Sequence, residues 1–172
     1  TDAAGTTWGT PVTADAAGTD NVGRYASLAA VNGNPAVMYY DGTHRDLKFV
    51  RATDASGTTW GAPVVPDTGG ADDVGEYASL AVLNGNPAAA YYDGTHGELK
   101  FVRAADASGT TWGTPVTVDT GGTGGNVGIR ASLAVVNGNP AVAYSDGSSV
   151  DLKFARAAHP PVFQIDWIAL EP

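Results

Sequence analysis

The 172-residue sequence has no cysteine, a single methionine and nine basic residues against eighteen acidic ones. Without cysteine there is neither a disulfide framework nor a thiolate zinc site, and nothing follows about the redox compartment. A formal net charge of −9 argues against nucleic acid as a partner, because counterion release from phosphates needs a basic stripe. No apolar run approaches the roughly 18 to 20 residues of a membrane-spanning helix, and no basic-then-apolar leader opens the sequence, so membrane insertion is not expected. What is abundant points one way. Twenty-three glycines, with many Thr, Asp and Asn, favour short strands joined by tight turns, and 43% hydrophobic content suffices for a core.

The stretch Asp54-Ala55-Ser56-Gly57-Thr58-Thr59-Trp60-Gly61-Ala62-Pro63-Val64 has near-copies beginning at Asp2 and Asp106, and Trp8, Trp60 and Trp112 recur every 52 residues. A period of that length signals repeated supersecondary units. In the first full unit, 22–66, four segments have strand composition between turn residues: a at 25–31, b at 35–41, c at 47–53 and d at 58–65. The second unit, 74–118, repeats them at 77–83, 87–93, 99–105 and 110–118. The third, 127–157, supplies 131–136, 140–146 and 152–157. Asn32-Gly33, Asn84-Gly85 and Asn137-Gly138 mark tight a–b hairpins, since both residues tolerate positive φ. Each unit is therefore expected to be a four-stranded antiparallel meander.

Strands a and b are apolar at almost every position rather than alternately, so both faces should be covered. Blades of a β-propeller, at 50-odd residues each, meet that requirement better than a β-sandwich, which alternates more cleanly. The expected fold is all-β: a propeller segment of about three four-stranded blades, with an orphan N-terminal strand d within 1–14 and a closing strand in the tail 159–172, where Phe163, Ile165 and Trp167 share one side. Three blades are too few to close a ring. Completion is expected either from further upstream repeats or from self-association of copies, with Thr1 read as a cut point inside a unit.

At Gly57-Thr58-Thr59-Trp60 the sequence resembles the Asp-box of sialidases and related propellers, Ser/Thr-x-Asp-x-Gly-x-Thr-Trp, a turn between the third and fourth strands of a blade; Asp54 stands one position earlier than in that box. Over residues 1 to about 158 the repeat also resembles the near-identical blades of long bacterial surface proteins built from Asn-Gly-Asn-Pro…Tyr-Tyr-Asp-Gly…Leu-Lys-Phe units. The resemblance implies a propeller and a place outside the cell or at its surface. It does not by itself imply an activity.

Comparing the three units separates constant from variable positions. The a–b and c–d turns are nearly constant and should share one end of the assembly. Variation collects in the d–a loops, at the start of strand a and in the b–c loops, which should share the other end. There the candidates for ligand binding are Arg24, Tyr25, Glu76, Tyr77 and Arg130 at the strand starts, with His44 and His96 in the b–c loops. Tyr and Arg at loops on a rigid scaffold suit a polar ring such as a sugar; the alternative is that these positions vary because they are exposed. Asp41, Asp93 and Asp146 recur in Asp-Gly turns and read as Asx-type turns, with calcium as the alternative although the spaced Asp-x-Asp-x-Asp-Gly loop is lacking. No cofactor is expected, and His44 and His96 lack the further ligands of a zinc site. No catalytic set can be assembled: a sialidase needs three arginines around a carboxylate, and Arg51, Arg103 and Arg156 recur identically on strand c as packing or ion-pair residues. The expectation is a non-enzymatic, lectin-like recognition module with a carbohydrate or cell-surface ligand. A structural or adhesive repeat without small ligand is the alternative, and a sialidase-like hydrolase ranks behind both.

Overall fold

The computed structural model describes residues 3–158. Eleven strands occur among them, and no helix: β1 (Val22–Val31), β2 (Asn34–Asp41), β3 (Asp46–Arg51), β4 (Val64–Asp67), β5 (Val74–Leu83), β6 (Asn86–Asp93), β7 (Glu98–Arg103), β8 (Val116–Asp119), β9 (Val127–Val136), β10 (Asn139–Asp146) and β11 (Asp151–Arg156). They form three antiparallel meander sheets, ordered β1-β2-β3-β4, β5-β6-β7-β8 and β9-β10-β11. The a–b hairpins turn at Asn32, Asn84 and Asn137, whose φ values of 46°, 48° and 50° are the left-handed conformation that Asn-Gly turns require.

Two expectations need correction. The fourth strands are shorter and later than 58–65 and 110–118, because Asp54 and Asp106 engage the threonines that open those segments. The Asp54 carboxylate accepts hydrogen bonds from the Thr58 and Thr59 hydroxyls and from the backbone N–H groups of Ser56, Thr58 and Thr59. This leaves Trp60 only an isolated bridge to Ala52. The orphan N-terminal strand is likewise not formed: residues 3–21 contain no strand, since no third strand lies beside them to pair with. The expected closing strand at 159–172 lies outside the described residues.

The second sheet lies between the other two and shows why its sequence is apolar throughout. On β6, Ala89 and Tyr91 join a core with Met38, Leu47 and Phe49 of the first sheet. Ala88 and Ala90, pointing the other way, join a core with Val127, Leu133 and Val142 of the third. Small residues bring the sheets close. A Cβ on Gly75 would stand 2.8 Å from Leu47 Cα, and one on Gly128 would stand 2.9 Å from Leu99 Cα.

Polar contacts between sheets recur with the same period. Ser27 Oγ accepts the Leu80 N–H (3.0 Å), and Ser79 Oγ accepts the Leu133 N–H (2.9 Å). On β2, β6 and β10 a tyrosine donates to the aspartate that ends the preceding fourth strand, Tyr91 to Asp67 and Tyr144 to Asp119; Tyr39 does the same to Asp15. A lysine on the third strand bridges that aspartate and the one closing the second strand. Lys100 Nζ lies 3.3 Å from Asp67 and 3.6 Å from Asp93, and Lys48 lies 3.1 Å from Asp15 and 3.7 Å from Asp41. Removing one partner of a buried pair of this kind costs about 3–5 kcal/mol, because the charge left behind is uncompensated.

The close approach of neighbouring sheets predicts unequal costs for two glycine substitutions. Gly128 has φ 100° and meets Leu99 backbone, whereas Gly122 has φ 73° with open space where its Cβ would stand. Gly122→Ala should cost about 1 kcal/mol from the left-handed conformation alone, and Gly128→Ala about 3 kcal/mol or more once the clash is added. Urea denaturation of both variants measures this; equal losses would show that sheet spacing does not require glycine at 128.

Candidate functional site

Each sheet begins with the same irregularity. On β1, Arg24 pairs with Tyr40 and Ser27 with Met38, so the intervening Tyr25 and Ala26 oppose the single residue Tyr39 in a β-bulge. The bulged residues Tyr25, Tyr77 and Arg130 have φ values of 53°, 52° and 57°. Left-handed backbone at a bulky residue costs roughly 1–2 kcal/mol, and here it recurs at three equivalent positions. Strain of this kind collects where a side chain must be aimed.

The aim is common to all three. Tyr25, Tyr77 and Arg130, with Ala26, Ala78 and Ala131, line one open cavity of about 300 Å³. The Tyr25 and Tyr77 rings are 4.3 Å apart, centroid to centroid, at 41°. Arg24 places its guanidinium 5.3 Å from the Tyr25 ring and 5.4 Å from the Tyr40 ring, a cation–π geometry. Tyr40 lies 6.1 Å from Tyr25, and Tyr92 lies 6.3 Å from Tyr77. Hydrogen bonding with Tyr25, together with burial, pushes the Tyr77 phenol up. Burial and the nearby Asp73 carboxylate raise the Glu76 carboxyl, with Arg24 opposing. The result is an aromatic floor flanked by two guanidiniums and a carboxyl held above its ordinary range.

His44 and His96 do not line this cavity. His44 Nδ1 sits 3.0 Å from Asp41 Oδ2 and 3.8 Å from Asp20 Oδ2, and His96 is 3.1 Å from Asp93 and 3.8 Å from Asp72. These two triplets are the groupings among the described residues with ligand atoms close enough to hold a metal ion. Other groups already engage their central carboxylates: Asp41 accepts the Thr43 and His44 N–H groups and lies 3.7 Å from Lys48 Nζ, a cation that opposes a second one. The third sheet does not repeat the triplet, since Ser149 and Gly125 replace its histidine and outer aspartate. The geometry is that of a turn clamp. Asp41, Asp93 and Asp146 each accept two N–H groups of their own turn, as an Asx-type turn does.

The sequence comparison therefore selected five residues that meet or flank one cavity and two that do not. It passed over Tyr40 and Tyr92, which enlarge the aromatic floor and are anchored from behind, Tyr40 to Asp73 Oδ1 (2.7 Å) and Tyr92 to Asn126 Oδ1 (2.6 Å). Their signal was the Tyr-Tyr pair itself: adjacent strand residues face opposite ways, so one ring faces the preceding unit while the other faces the next. Arg51, Arg103 and Arg156 are not ion-paired within the site; their Nε atoms donate to the carbonyls of Val31, Leu83 and Val136 at the a–b hairpins. Comparison with protein-family models and with curated proteins gave no match.

The turn clamp sets a pH expectation. The hydrogen bond and charge of Asp41 raise His44, and those of Asp93 raise His96, above the ordinary 6.5. A raised histidine contributes stability that is complete below about 6.5 and is lost as pH rises through the higher folded value. Burial pushes Asp41 up, but the hydrogen bonds from His44 and Thr43 outweigh it and hold the carboxyl low. NMR titration should place both imidazoles above 6.5, and Asp41→Asn should lower His44 while leaving His96 unchanged. A His44 that titrates normally in the parent chain would dismiss the clamp.

Proposed function

We propose that this chain is a β-propeller segment acting as a non-enzymatic recognition module, and that it binds a carbohydrate at the mouth where its sheets begin. The observation that carries this reading is the convergence of three strained, bulged positions, Tyr25, Tyr77 and Arg130, on one open cavity. The tilted phenol rings offer apolar surface to the C–H side of a sugar ring, while arginine supplies donors and the Glu76 carboxyl an acceptor for its hydroxyls. Three sheets packed in the same manner support the propeller, each repeating the last. Its place outside the cell or at the cell surface rests on the resemblance of the repeat to blades of bacterial surface proteins. Arg24 and Arg130 flank the cavity, and among the described residues no third arginine joins them, which does not favour hydrolysis of sialosides.

A second reading, a structural repeat without ligand, draws on the residues invested between sheets, notably the Tyr–Asp–Lys links that recur three times.

A glycan array with the intact chain separates the two, and its expected result is selective binding. Tyr25→Gly with Tyr77→Gly keeps the positive φ without strain and removes both rings; binding should fall at least about tenfold while the circular dichroism of the sheets is retained. No bound glycan at high protein concentration would sink the carbohydrate reading, and loss of the fold in the double variant would reassign the tyrosines to the core.

A further inference from the structure

The two outer sheets expose surfaces that are counterparts of each other. Leu47 and Leu99 on the third strands are fully buried, covered by Gly75 and Gly128 of the following sheet; their equivalent on β11, Leu152, is 83% exposed. At the opposite end Leu80 and Leu133 are buried against the preceding sheet, while their equivalent Leu28 is 70% exposed. Each exposed surface is missing what the other presents.

The fourth strands tell the same story. Among the described residues the third sheet has three strands and no strand pairs with the outer edge of β11, whereas residues 12–15 repeat the sequence position of β4 and β8 without pairing to a described strand. Asp15 nevertheless makes the inter-sheet contacts of its equivalents Asp67 and Asp119, to Tyr39 and Lys48. Asp15, at the end of this segment, is therefore already held against the first sheet. Aromatic contacts fit as well. Trp112 packs edge-on against Phe49 of the preceding sheet at 5.3 Å. Trp8 is 86% exposed, and Phe101, which in this pattern awaits the tryptophan of the third unit, borders a cavity of about 450 Å³ with Val116, Val118, Pro140, Val142 and Ala155.

We infer that two copies of this chain join head to tail, with residues 12–15 of each completing the third sheet of the other and Trp8 entering the Phe101 cavity. This rests on the propeller reading. The occupant is a second copy because the contacts then formed, with one exception, repeat ones already formed inside the chain. Leu28 N–H meets Ser132 Oγ as Leu80 meets Ser27, Gly23 covers Leu152 as Gly75 covers Leu47, and Trp60 covers Phe154. One contact has no counterpart, since Ser145 stands where Tyr40 and Tyr92 reach the next sheet. Two copies give six sheets, within the range of about four to eight that propellers close with, and two equal head-to-tail interfaces leave no free edge. The cavity of Tyr25, Tyr77 and Arg130 then becomes one half of a two-fold symmetric site.

Native mass spectrometry of the full chain should give twice the 17.4 kDa of one chain. The mass of one chain, which results if residues 159–172 fill the β11 edge from within, would overturn the inference, as would an open ladder of larger species. Leu152→Asp, at a position exposed in the single chain, should weaken association by roughly 100-fold or more with unchanged circular dichroism, and Trp8→Ala by roughly tenfold or more. A Leu152→Asp chain that stays paired would also overturn it. A pair that forms but binds no glycan upholds this interface and sinks only the carbohydrate reading; one-chain mass with glycan binding does the reverse.

Discussion

Strands that are apolar on both faces require cover on both faces, and the rest of this structure follows from that requirement. A sheet built from Ala88, Ala89, Ala90 and Tyr91 has no side to offer to water. It is stable only as the middle of a stack, and the same composition recurs in its neighbours. Alanine and glycine then do what larger residues would not: they let sheets approach until a single added carbon at Gly75 or Gly128 would strike backbone. The packing is tight because the residues are small. Each interface gains from dispersion and burial what its individual side chains lack in bulk.

Close apolar packing fixes separation but not register, and the polar links supply the latter. In the second and third sheets the tyrosine of the second strand and the lysine of the third strand converge on the aspartate that ends the preceding fourth strand. A one-residue slip would strand an ammonium and a carboxylate at low exposure, where an unpaired charge is costly. The hydroxyls of Ser27 and Ser79, each accepting a backbone N–H from the next sheet, add a second measure along the first strands.

Much of this was legible in the sequence. The 52-residue spacing and the Asn-Gly turns located the hairpins, and the unbroken apolar runs announced sheets covered on both sides. Strand four was misread because Thr58, Thr59 and Trp60 have strand composition; the competing Asp54 carboxylate, which draws the Thr58 and Thr59 N–H groups into a turn, acts at too short a range for periodicity to register. The N-terminal repeat was misread for a different reason: a strand exists by pairing, and no described strand lies beside that segment. For the site, variation among units led to Tyr25, Tyr77 and Arg130, but it led equally to His44 and His96, which vary at a turn. Constancy concealed the opposite case. Lys48, Lys100 and Lys153 drew no reading from the sequence, and only three-dimensional proximity reveals that they join one unit to the last.

The bulge at the head of each first strand has an evolutionary consequence. Its left-handed backbone is imposed by the register of the flanking strand pairs, so the side chain there takes no part in making the conformation it occupies. Tyrosine, tyrosine and arginine already share one geometry. Each repeat thus carries a variable residue pointed at a common cavity, and duplication followed by point substitution changes the lining of that cavity while the sequence that builds the walls is copied unchanged.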